Sequence, residues 1–160
     1  MKPPPRRRPG TLRRALVSGT VASVTSSIAL AVMARIDKKG MLQPVNATSH
    51  WRNGEQAASV KRADYTHTVV GYATHHAATM FWAVLFERWI GSRPPGSFPA
   101  MLRDAAAMSA LAAAIDYGLT PRPLTPGWES VLSGRAMAVG YGALAIGLAA
   151  GAWSNQNRHP

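Results

Sequence analysis

No cysteine occurs in the 160 residues. That excludes a disulfide framework, a thiolate metal site and a cysteine nucleophile. Acidic residues are scarce, with 7 Asp and Glu against 18 Lys and Arg and a formal net charge of +11. No HExxH, GxSxG, phosphate-loop or dinucleotide-binding pattern is present. An enzyme is not expected, because no grouping of nucleophile, base and electrophile is visible at motif level.

Hydrophobic residues make up 47% of the chain. The mean hydropathy of −0.05 is nevertheless that of an ordinary soluble protein. The average conceals a segregated chain, in which basic, Pro-rich stretches alternate with long uncharged ones. Nucleic acid is therefore not expected as a partner, despite the charge. The pattern predicts an all-α integral membrane bundle of four transmembrane helices, with spans at about 15–34, 66–90, 101–119 and 136–153. Residues 15–34 hold 20 uncharged positions, about 30 Å of helix, which matches a bilayer core. The third run is the weakest, with only 15 residues from Ala105 to Leu119 and Asp116 among them. Trp89 and Trp153 suit the interfaces.

Residues 1–14 form a basic Pro/Arg tail with nothing to bury, so disorder is expected there, with anionic lipids as its contact. Residues 154–160 form a polar carboxyl tail. Arg13 and Arg14 before an apolar run match a twin-arginine signal, and Ala29-Leu30-Ala31 matches a cleavage box. The length of the run, with Arg35 at once after it, favours an uncleaved span. Counting Lys and Arg puts ten on the side of the termini and eight on the other. With six of the ten clustered in the amino-terminal tail, this places both termini in the cytoplasm.

Small residues mark two helix faces: Gly19, Ser23, Ser27 and Ala31 on the first, and Ala143, Gly147 and Gly151 on the fourth. Such faces let backbones approach closely. They serve packing within the bundle or, on the fourth helix, a homodimer. The order Ile-Asp, Gly, Leu, Pro recurs after the first and third helices, and Trp, then Val-Gly-Tyr, recurs after that. This order is compatible with two hairpin repeats.

The second span carries the chemistry. Thr68, Tyr72, His75 and Thr79 share one helical face, and His76 stands about 100° around from His75. Ionisable groups at that depth face a bundle interior. One reading has neutral imidazoles bonded to serines, with Ser23, Ser26, Ser27 and Ser109 as candidates. A second has a proton or substrate pathway that also uses Asp116, the carboxylate inside the third run. A third has a haem or metal site completed across a dimer, since the other spans contain no His. No cofactor is assigned. Asn46, His50 and Glu129 lie in the two connections of one membrane face and could form a polar rim site.

The segments PVNATSHW, GYATHHAATMFWAVLFERW and DYGLTPRPLTPGWE together resemble those of small four-span bacterial membrane proteins of no assigned activity. The resemblance runs from about Gly19 to Gly151. It implies a bacterial inner membrane and carries over no site residues. The leading expectation is a small, non-enzymatic, multi-pass inner-membrane protein that packs with itself or a membrane partner. The alternatives are a small homodimeric transporter or channel using the intramembrane His and Asp, and a haem- or metal-binding membrane subunit.

Overall fold

The computed structural model describes residues 9–157. Among them there is no strand. Four long helices dominate: α1 (Thr11–Ile36), α4 (Val70–Gly91), α5 (Phe98–Gly118) and α6 (Gly134–Asn157). Two short helices, α2 (Gln43–Ala47) and α3 (His50–Asn53), lie in the first connection. Helices α1, α5 and α6 are long and apolar enough to cross a membrane.

Two expectations need correction here. The third run is not short. Ser97 caps α5 by accepting the Ala100 N–H, and Pro99 sits in its first turn, so the helix starts early and reaches 21 residues, about 31 Å. The marginal segment is instead α4, whose His, Thr and charged residues keep it out of the apolar set. The termini also differ from expectation. Helix α1 begins at Thr11, so part of the basic tail is helical, and α6 runs on to Asn157 through the polar end. The expected disorder and lipid contact of residues 1–8 lie outside the described residues.

Burial follows size in an unusual sense. On α1, Leu12, Leu16, Val24, Ile28, Val32 and Ile36 point outward at multiples of four residues. Ala15, Ser18, Gly19, Ala22, Ser23 and Ser26 point inward. Large apolar groups outside and small or polar ones inside suit a lipid solvent, where close backbone packing drives association. Helix α1 is central. It packs along α4 on one side and along α6 on the other, and α5 packs along α6. Helices α4 and α5 are joined by a short turn but touch little. The two small-residue faces do not meet each other. Gly19 and Ser23 face Met80, Ala83, Tyr72 and His76 of α4. Gly147 and Gly151 press on the backbone of Ala22 and Ser18, on a different face of α1. These glycines are thus spent inside one chain.

The first and third connections cover one end of the bundle. Asn46, fully buried, ties the first connection to the turn that precedes α4. Its amide donates to Val60 O (2.8 Å) and Arg62 O (3.1 Å), and its oxygen accepts from Thr68 Oγ1 (2.7 Å). Gly127 has φ +80° and lies against Ala47 O and His50, a position that excludes a side chain. The next residue, Trp128, drops into the core and donates from Nε1 to Thr48 Oγ1 (3.1 Å).

Asp64 starts the turn that leads into α4. Its Oδ1 accepts the His67 N–H at 2.6 Å, and the His67 ring lies 3.0 Å away. The backbone hydrogen bond first, then the His67 side chain and Arg62, hold this carboxyl below the usual carboxylate range. A depressed folded value means that its stabilisation is complete above the unfolded value and is lost as pH falls through the folded one. The His67 amide resonance is therefore expected to titrate with a midpoint below 3.8. In Asp64→Asn that titration should vanish.

Candidate functional site

Helix α4 turns His75 and His76 toward α1, not toward each other. His75 Nε2 lies 3.0 Å from Ser26 Oγ, and His76 Nδ1 lies 2.8 Å from Ser23 Oγ. Tyr72 OH is 3.3 Å from the same Ser23 oxygen and its ring stacks on His76, with centroids 5.9 Å apart. Each imidazole thus spends a nitrogen on a serine of α1. Ser109 takes no part, since it donates to Tyr141 O (2.6 Å). Ser27 Oγ is enclosed with no partner.

His75 also abuts a line of aromatic side chains. Its ring centroid is 5.6 Å from that of Trp128, and Trp128 is 5.4 Å from Tyr141. Tyr141 OH donates to Asp116 Oδ2 at 2.6 Å. Residues from α4, the third connection, α6 and α5 therefore form one continuous chain from His75 to Asp116. Beside it lies a cavity of about 200 Å³ between α4 and α5. Its lining includes His75, Trp82, Asp116, Trp128 and Tyr141, with Trp51 and Ala78 exposed at its edge. A second cavity of about 200 Å³ lies toward α1 and α2, and His75, Trp128 and Thr48 line both.

No protein-family model, no curated protein and no solved structure matches this chain. Its site is accordingly read from its own geometry.

The sequence-derived residues sort into three groups. His75 and Asp116 line one cavity. Tyr72 and His76 form the α1–α4 seam. Asn46 ties the first connection to Thr68, and His50 joins the first connection to the third: its Nδ1 faces Ala47 O (3.0 Å) and its Nε2 faces Arg122 O (3.2 Å). Among the described residues, no hydrogen bond joins either of them to Glu129. Glu129 instead accepts from Thr125 Oγ1 (2.7 Å), and its Oε2 is enclosed without a partner. Among the described residues, no three His, Asp or Glu side chains are grouped to hold a metal ion.

The structure adds a site at the other end. Glu87, 1% exposed, accepts from Arg14 Nε (3.0 Å) and from Asn155 Nδ2 (3.2 Å). Arg14 Nη2 reaches Glu87 O and Nη1 reaches Pro9 O. This joins α1, α4 and α6 through one buried ion pair. A cavity of about 440 Å³ opens beside it, bounded by Arg93, Asp104 and Gln156. Arg93 is paired with Asp104 at 2.8 Å. In sequence, Glu87 marks only the end of a run, and Arg14 belongs to the basic cluster.

Proposed function

We propose that the chain crosses a bacterial inner membrane four times, with both ends in the cytoplasm. We further propose that it binds a small molecule, without catalysing a reaction on it, in the cavity between α4 and α5. Carriage of that molecule across the membrane is the function class this favours. One observation carries the reading: His75 and Asp116, on different helices, line a single cavity whose other walls are largely aromatic and aliphatic. Intramembrane ionisable groups are costly and gather where a substrate or proton passes. The cavity lies where two sequence-adjacent helices stand apart, between helices of a bundle, a common place for ligand sites. The four-span arrangement is supported by α4 running antiparallel to α1, with Arg14 against Glu87 at one end and Ser26 against His75 further along. The positive-inside count supports the orientation.

The reading that the protein acts by packing with a copy of itself draws less support. The glycine face of α6 that would serve it is already covered by α1.

The absence of cysteine gives a direct test. In otherwise native protein, Ala78→Cys places a thiol at the cavity edge, and Phe81→Cys places one on the exposed outer face of the same helix. A membrane-impermeant thiol reagent added to cells with a permeabilised outer membrane is expected to label Ala78→Cys at least tenfold faster than Phe81→Cys. Equal rates would remove the cavity as a ligand path. Labelling of Ala78→Cys only from the cytoplasmic side would overturn the orientation.

A further inference from the structure

We infer that the molecule bound between α4 and α5 is a small monovalent organic cation, an ammonium group carrying an apolar substituent. This rests on the ligand-binding reading above and names the class of ligand.

The walls supply the argument. Three indoles, Trp51, Trp82 and Trp128, and the Tyr141 phenol contribute to one cavity of about 200 Å³. Aromatic faces carry negative potential, and their attraction for a cation grows where water is excluded. Asp116 supplies the charge. Tyr141 OH occupies Oδ2, and among the described residues no hydrogen bond is made to Oδ1. Glu129 stands behind this wall and does not itself line the cavity. Thr125, which lines the cavity, donates to its Oε1, and its Oε2 is enclosed without a donor. Neither acid forms an ion pair among the described residues. No Lys or Arg lines the cavity, and its one basic side chain, His75, already faces Ser26.

In a chain of net charge +11, an aromatic cavity lined by one carboxylate without an ion pair, and by no Lys or Arg, is a local inversion of sign. An anion would meet the Asp116 carboxylate there and no Lys or Arg. A neutral apolar molecule would use the indoles and leave Asp116 unanswered. A small inorganic cation needs several oxygen ligands, whereas most of this surface is ring and aliphatic carbon. An organic ammonium uses both features, its charge toward Asp116 and its methyl or methylene groups against the indoles. The volume limits it to the size of a fragment with one ring.

The test compares benzyltrimethylammonium with neopentylbenzene, its neutral carbon isostere, and with benzylsulfonate. Binding to the purified full chain in detergent is measured by equilibrium dialysis. The cation is expected to bind at least tenfold more tightly than the isostere. Asp116→Asn should remove that preference and leave the isostere unchanged. Trp51→Leu should weaken the cation several-fold. Because Trp51 is half-exposed, this variant decides the matter if Asp116→Asn fails to fold. Equal or tighter binding of the isostere or the sulfonate would overturn the cation and leave the cavity reading standing. So would binding of none of the three by a protein whose Ala78→Cys variant is still labelled selectively. If labelling fails as well, the ligand-binding reading falls with it.

Discussion

Gly147→Leu is expected to prevent α1 and α6 from closing. A Cβ at this position meets the Cα and amide nitrogen of Ala22 and the Thr25 hydroxyl. Two of these three atoms are backbone, which cannot rotate aside as a side-chain end can. The contact also holds a hydrogen bond from Thr25 Oγ1 to Ala143 O (3.1 Å), which the displaced helix would lose. Overpacking of a tight core costs about 1–3 kcal/mol and sometimes more. Here the whole helix must move, so the upper end applies. For a chain of this size that is a fall of about 6–12 °C in Tm. Thermal melting by circular dichroism in detergent is the measurement. Gly142→Leu is the control, because nothing lies within 4 Å of a Cβ added there. It should melt within about a degree of wild type, since surface changes are near neutral. Equal falls for the two variants would show that the glycines of α6 do not set the helix approach.

Glu87→Leu is expected to have the second large effect. The carboxylate is almost fully enclosed, and Arg14 is only 16% exposed. Removing Glu87 leaves a guanidinium in that enclosure with only carbonyl oxygens and Thr11 around it. Breaking a buried pair by removing one partner costs about 3–5 kcal/mol. Because Arg14 keeps some access to water, the lower figure applies. The double variant Arg14→Met, Glu87→Leu should recover most of the loss, since a buried pair contributes little over an apolar replacement. Detergent melts of the two single variants and the double variant form a complete cycle. A double variant no more stable than Glu87→Leu would mean that the Asn155 hydrogen bonds, rather than the charge pair, hold this end.

The difference between these positions and the ones readable in the sequence is physical. Uncharged runs of the right length mark segments compatible with a membrane, because chain length and hydropathy decide that locally. The face of α4 bearing Tyr72, His75 and Thr79 was legible for the same reason, since helical periodicity is a property of neighbouring residues. Ser23 and Ser26 are among the candidate partners as hydroxyls of α1, although that helix carries seven Ser and Thr in all and the sequence does not single these two out. The Arg14–Glu87–Asn155 contact was not legible. It links residues 73 and 68 positions apart, and each looked like a helix end. Trp128 was hidden for a different reason. It follows a Pro-rich stretch that reads as surface loop, and only the left-handed turn at Gly127 carries it into the core. Asn46 and His50 stand out in sequence as a polar pair that suggests chemistry, and in the fold they make structural hydrogen bonds. Their polar groups satisfy backbone carbonyls in a connection that has no sheet or long helix to do so. The third run reads as short in sequence because the start that Ser97 and Pro99 set lies ahead of its uncharged stretch.

The central place of α1 sets an order of events during synthesis. The first hairpin can close early, because α4 brings His75 and His76 directly to Ser26 and Ser23. One nitrogen of each imidazole is then paired as soon as α4 meets α1. The other flank of α1, with Ser18, Ala22 and Thr25, has no cover until the last helix is made. First and last segments thus form the tightest seam, and assembly completes only after residues 134–157 have left the ribosome. A chain stalled before that point presents a bare small-residue flank to its neighbours in the bilayer, a ready surface for mispairing or for recognition by the proteases that clear unfinished membrane proteins.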